Sequence, residues 1–196
     1  MNEEILEVYT DASIRGSKKR GGVRRGFGIL FVDTNDNEEQ FSYKISTNYF
    51  YKVIYIKYDL RKRWLTPEHL EFFAFYIALE KLIQRKIKHK IHFYVDSDSV
   101  YYFVNNINKD KNGKIKTPKD ITTQKLLERI KKLMTHLNID VRSIPGHQKI
   151  YGNVIADRLA SIGGLDDDCR YNKKGENGKK YFLSYHNNEI EENILT

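Results

Sequence analysis

The order in which hydrophobic periodicities follow one another limits the folds open to this chain more than any other feature. Residues 4–10 alternate as a strand, residues 26–33 read as a second, and Phe41, Tyr43 and Ile45 alternate as a third after the Asn35-Asp36-Asn37 turn. Alternation sends successive side chains to opposite faces, so these segments predict an antiparallel meander. The period then changes to 3.6. Thr66-Pro67 supplies an N-cap and a first helical residue, and Leu70, Phe73, Ala74, Ile77 and Ala78 form the stripe of a helix, running to about Arg85, that packs on a sheet. Residues 91–95 are a short buried strand, followed by a helix with Val100, Phe103, Val104 and Ile107 on one face. Residues 108–120 read as a polar loop, Thr122 or Thr123 caps a further helix, residues 139–144 are a fifth strand and residues 152–162 a last short helix. The expected class is α/β, a mixed five-stranded sheet of an antiparallel meander plus parallel strands, flanked by helices.

Four carboxylates fall at marked places in this pattern. Asp11 ends the apolar run Val8-Tyr9-Thr10, and Asp96 ends His92-Phe93-Tyr94-Val95. Glu71 lies in the first turns of the long helix, and Asp157 lies on the last helix, ten residues after His147. Strand-end carboxylates can sit side by side if their strands are neighbours, with the two helical ones reaching over the same edge. Gathered carboxylates repel one another unless a strong positive charge holds them, and hard divalent cations such as Mg²⁺ prefer oxygen ligands. Phosphodiester cleavage by two metals often uses such a site. Any one of these acids alone is better explained as a solvated charge or a helix cap. Together they are not, because Asp11 and Asp96 each follow apolar runs. Asp98 competes with Asp96, but it belongs to a helix's first turn, where an acid suits the helix dipole.

This arrangement resembles the type 1 ribonuclease H family over roughly residues 5–162. Thr10-Asp11-Ala12-Ser13 is similar to that family's first-strand motif, Gly26-Phe27-Gly28-Ile29-Leu30 to its second strand, and Leu70-Glu71 onward to its first helix. Asp96-Ser97 is similar to its fourth-strand motif, and Gly146-His147 with Asn153 and Asp157 to its catalytic loop and last helix. Ala12 stands in place of the usual Gly, Pro67-Glu68 in place of Asn-Asn, and residues 47–64 form a longer insertion. The resemblance implies an endonuclease that hydrolyses the RNA strand of RNA/DNA hybrids with two Mg²⁺ ions, for which Mn²⁺ can substitute. It implies that Asp11 bridges both metals, Asp157 holds the nucleophile-side metal, Glu71 and Asp96 hold the other, and His147 assists proton transfer or product release. Thr66 matches a position that holds a phosphate of the DNA strand, although capping explains it equally well. Asn153 and the lysines of residues 109–119, Lys111, Lys114 and Lys116 among them, are the expected nucleic-acid contacts. An ordinary solvated loop is the plain alternative for those lysines.

Charge agrees with a polyanionic partner. The chain carries 34 Lys+Arg against 26 Asp+Glu, a net +8. Residues from 161 onward hold seven acids and five bases, leaving about +10 on residues 1–160. One cysteine, Cys169, excludes an intrachain disulfide and a multi-thiolate metal site. The longest apolar runs fall short of the ~20 residues of a membrane span, and the first residues lack the pattern of a secretory signal. The expectation is a cytoplasmic monomer with no membrane partner. Residues 1–162 form its catalytic domain, and residues 163–196 a C-terminal extension with a strand-like stretch at 179–185. Two other readings compete: a non-catalytic nucleic-acid-binding module with the same fold, or another nuclease of the superfamily. Retention of all four carboxylates favours the enzyme.

Overall fold

The computed structural model describes residues 4–15, 24–45, 50, 65–107, 109–146 and 149–163. The elements are β1 (Ile5–Arg15), β2 (Arg24–Val32), β3 (Glu38–Lys44), α1 (Pro67–Gln84), β4 (Lys90–Val95), α2 (Asp98–Val104), α3 (Ile121–Met134), β5 (Ile139–Ser143) and α4 (Tyr151–Gly163). The sheet order is β3-β2-β1-β4-β5, with β1–β2 and β2–β3 antiparallel and β1–β4 and β4–β5 parallel. The mixed five-stranded sheet expected from the sequence is therefore present. Apart from Phe50, the insertion at 47–64 lies outside the described residues, as does the stretch at 179–185. Among the described residues no helix is long and apolar enough to cross a membrane.

α1 begins as its sequence dictates. Thr66 caps it, its side chain accepting from the His69 backbone N–H at 3.2 Å, with Pro67 as the first helical residue. The helix is buried well beyond the stripe visible in the sequence. Phe72, Phe75 and Leu79 are as inaccessible as Leu70 and Phe73, because α1 lies on β1 and β2 while α2 and α3 cover its other side. A helix with partners on both sides is apolar all round. Phe75 meets Phe93 of β4 at a ring separation of 4.1 Å, and Phe73 meets Phe27 of β2 edge-on at 5.7 Å. Burying each such ring contributes about 1.5–3 kcal/mol.

Two helix boundaries differ from expectation. α2 stops at Val104, and Asn106 takes a left-handed φ of 56°, which turns the chain away before another helical turn forms. Ile107, expected on the apolar face, is instead 47% exposed. α3 is capped by Asp120 rather than Thr122 or Thr123, its carboxylate accepting from the Thr123 N–H at 2.8 Å. Asp120 also meets His69 Nε2 at 3.0 Å, tying the starts of α3 and α1 together. Asp120→Ala is expected to cost ~1 kcal/mol for the missing cap, plus whatever the His69 link adds. Thermal melts of the Ala and Asn variants separate the two, since Asn still caps but carries no charge for His69.

The lysine-rich segment is mostly loop, as expected, but it contains a small hairpin. Lys109 and Ile115 form an isolated antiparallel bridge. The Asp110 carboxylate accepts from the N–H groups of Asn112 and Lys114 at 2.8 and 2.9 Å, and Gly113 supplies the positive φ of 78° that the turn requires.

Candidate active site

The sheet topology places the acidic residues. β1 is longer than its apolar pattern suggests, because pairing with β2 continues past Asp11, which faces Gly28, to Arg15. Asp11 is thus inside a strand, not at its end. The parallel pairing of β1 with β4 is shorter and stops at the Tyr9–Tyr94 rung. Asp11 and Asp96 each stand two residues beyond it, where the strands are no longer tied. Glu71 arrives from the second turn of α1. Asp11, Glu71 and Asp96 each present a carboxylate oxygen, and the three oxygens lie within 4.8 Å of one another. Asp11 is only 8% exposed.

Fixed donors hold two of these groups. The Ala12 backbone N–H donates to Asp11 Oδ1 at 2.6 Å, and the Asn153 side-chain amide donates to Asp96 Oδ2 at 3.2 Å. Asn153 is buried on α4, and its Oδ1 has no hydrogen-bond partner among the described residues. The sequence points to Asn153 as a nucleic-acid contact. Its amide nitrogen instead steadies a carboxylate, so any contact with nucleic acid would be additional.

The cluster is electrostatically unfavourable by itself. Burial, then the charges of Asp96 and, more weakly, Asp157, push the Asp11 carboxyl up to about 7, against the smaller opposing pull of the Ala12 N–H. Burial followed by the charges of Asp11 and Asp96 raises Glu71 well above the usual carboxylate range. In the metal-free protein both carboxyls therefore hold their protons to higher pH than exposed acids do. An all-oxygen set, partly buried and anionic, suits a hard divalent cation and lacks the thiolate or imidazole donors a softer metal would take.

These raised carboxyls set the sign of the pH dependence. A carboxyl raised in the folded state binds its proton more tightly there than in the unfolded chain, so stability falls as pH rises between the unfolded and folded values. For Asp11 that window runs from 3.8 to about 7. The metal-free protein is expected to melt progressively lower across it, by at most ~4 kcal/mol from this group at 1.36 kcal/mol per unit. Millimolar Mg²⁺ or Mn²⁺ should flatten the slope. Melting curves at pH 5 to 8, with and without the cation, check this.

The remaining candidates are placed as follows. Asp157, on α4, is exposed and lies outside the three-oxygen group, though its charge reaches Asp11. Asp98 is exposed on the first turn of α2, with Ser97 as the cap, and takes no part in the cluster. His147 lies outside the described residues. Its neighbour Gly146 is close to the cluster, since a Cβ there would come 4.0 Å from Asp96 Oδ2. Thr66 is occupied as a cap, with its backbone N–H also donating to His69 Nδ1 at 3.2 Å. Lys111, Lys114 and Lys116 are exposed on the hairpin between α2 and α3.

A meander followed by parallel strands, with carboxylates gathered beyond the end of the β1–β4 pairing, defines a ribonuclease H-like architecture. The model of the RNase H family matches residues 3–164, and the chain belongs to that family. Among solved structures it is similar to the RNase H1 of the halophilic archaeon Halobacterium salinarum NRC-1, at 17% identity and a TM-score of 0.58, covering 81% of this chain and 96% of that one. It is also similar to the N-terminal RNase H domain of rv2228c from Mycobacterium tuberculosis, solved as a fusion with maltose-binding protein, at 15% identity and a TM-score of 0.58, covering 82% and 99%. A third similar structure is the foamy viral protease-reverse transcriptase in complex with an RNA/DNA hybrid, at 21% identity and a TM-score of 0.58, covering 83% of this chain and 20% of that one. No curated protein matches by sequence.

Proposed function

We propose that the protein is a metal-dependent endonuclease that hydrolyses the RNA strand of RNA/DNA hybrids, with residues 1–162 as its catalytic domain and residues 163–196 as an extension. One observation carries this reading: three carboxylates, from β1, α1 and the end of β4, lie with oxygens within 4.8 Å of one another, partly buried and mutually repelling. Family membership supplies the substrate class. Two Mg²⁺ ions, or Mn²⁺ in their place, would activate the attacking water and stabilise the leaving 3′-oxygen. In this reading Asp11 would be shared between the two ions, Glu71 and Asp96 would hold one, and Asp157, on α4, would hold the other. His147, by the family resemblance of its Gly146-His147 motif, would assist proton transfer or product release. Asn153 keeps Asp96 oriented. The protein acts as a monomer.

The lysines of the hairpin supply affinity. Lys111, Lys114 and Lys116 together replaced by Ala should raise KM, leave kcat nearly unchanged, and reduce the log–log salt slope by about 0.9 for each phosphate no longer neutralised. The basic segment between Arg15 and Arg25 is the rival source of this grip. If the triple variant keeps its salt slope while an Arg20, Arg24 and Arg25 variant loses it, the lysines are bystanders.

Incubation of an end-labelled hybrid with Mg²⁺ tests the assignment. The expected outcome is fragments with 5′-phosphate and 3′-hydroxyl ends, abolished by EDTA. Tight binding with no cutting in Mg²⁺ or Mn²⁺ would make the protein a binding module instead.

A further inference from the structure

The last paired rung of β1 and β4 carries two tyrosines on the sheet face that α4 covers in part. The rings of Tyr9 and Tyr94 stack with centroids 4.7 Å apart and planes 13° from parallel. Neighbouring strands lie ~4.8 Å apart, so the stack spans them without pulling either out of line. Both phenols converge on one acid: Tyr9 donates to Glu7 Oε2 at 2.8 Å, and Tyr94 to Glu7 Oε1 at 3.3 Å. One carboxylate thereby fixes both rings. Arg142 of β5 closes the outer side, its guanidinium 5.9 Å from the Tyr94 ring centre and its Nε on Asp140 at 2.8 Å. On the inner side the Tyr9 ring lies against Gly152 of α4, so closely that a Cβ there would come within 2.4–2.5 Å of three ring atoms.

Three connections from this stack lead to the cluster. Asp11 is two residues after Tyr9, and Asp96 two residues after Tyr94, just where pairing has ended. Gly152 immediately precedes Asn153, which donates to Asp96. We infer that Tyr9, Tyr94 and Glu7 form a spacer that sets the separation of Asp11 and Asp96 and seats Asn153 against Asp96, making all three positioning residues for the cation site. Beyond the last rung nothing in the ladder fixes how far the strands diverge, and a rigid, doubly hydrogen-bonded stack at that rung supplies the constraint. This inference rests on the metal-dependent reading of the cluster. A pair of rings that only filled space between sheet and helix would stabilise the fold without influencing cation affinity.

Mn²⁺ titration of the whole 196-residue chain by calorimetry, without nucleic acid, separates the two roles. Tyr9→Leu and Tyr94→Leu are expected to weaken Mn²⁺ binding about tenfold or more, the range typical when a group that orients metal ligands is removed. Tyr9→Phe keeps the stack and should recover most of that affinity. Glu7→Gln, a near-isosteric change at a half-buried site, should weaken binding several-fold and gives the answer even if a leucine variant fails to fold. Wild-type Mn²⁺ affinity in a folded Tyr9→Leu variant, or in Glu7→Gln, would overturn the spacer and leave the nuclease assignment intact. Absence of Mn²⁺ binding by the wild-type protein would overturn both.

Discussion

Asp11→Asn is expected to reduce hybrid cleavage to the uncatalysed background while raising the melting temperature of the metal-free protein. The two effects share one cause. Asn has nearly the shape of Asp and can still accept from the Ala12 N–H, so the fold loses little. What disappears is a buried charge facing Asp96 and Glu71, the same charge that burial and Asp96 penalise in the free protein. Relieving that repulsion should raise Tm by roughly 2–4 °C per kcal/mol at this chain length. The cation site loses its shared ligand at the same time. Asp96→Asn should behave alike, and Asp98→Asn, altering an exposed acid on the first turn of α2, should leave kcat nearly intact. Steady-state cleavage with calorimetric melting measures both. A stabilised Asp11→Asn variant with near-normal kcat would show that the cluster is not the reaction centre.

Gly28→Ala is the second change with a large expected effect. A Cβ at Gly28 would lie 2.3 Å from the Ala156 carbonyl oxygen, 2.6 Å from Leu159 Cβ and 2.7 Å from the Ala160 nitrogen. Two of these are backbone atoms of α4 and cannot swing aside, so the helix itself must move. Overpacking of this kind typically costs about 1–3 kcal/mol. Gly28 pairs with Asp11 across β1 and β2, and α4 carries both Asn153 and Asp157, so the displaced helix takes site residues with it. Gly28→Ala should therefore lose both stability, read by denaturant unfolding, and kcat. Asp120→Ala, between the starts of α1 and α3, should lose stability alone. Unchanged unfolding midpoint and rate in Gly28→Ala would mean that α4 does not rest on β2 as described.

The fold is legible in the sequence where local pattern and tertiary environment agree. The meander, the Thr66-Pro67 start of α1 and the last helix all carry their own periodicity or capping chemistry. The departures lie where long-range contacts override it. β1 runs beyond its apolar stretch because β2 continues to pair with it, and α1 is apolar all round because α2 and α3 cover its outer side. The α3 cap differs from expectation because Asp120 closes a loop that reads as polar filler, while the threonines after it have equal local credentials. Asp11, Glu71 and Asp96 are legible from their contexts, and the structure brings them together. The tyrosine stack escapes a reading of the sequence although its signal is present, since Tyr9 and Tyr94 each precede a cluster acid by two residues, the spacing that keeps a strand's side chains on one face. Sequence alone cannot supply the fact that these two residues face each other across the sheet.

Strand-specific cleavage tests the account most directly. Wild-type protein with Mg²⁺ is offered an RNA/DNA hybrid labelled on each strand in turn, beside DNA duplex, RNA duplex and both single strands of the same sequence. Only the RNA strand of the hybrid should be cut. Comparable cutting of the DNA duplex would place the protein with other nucleases of this fold, and no cutting of any substrate would contradict the catalytic reading altogether.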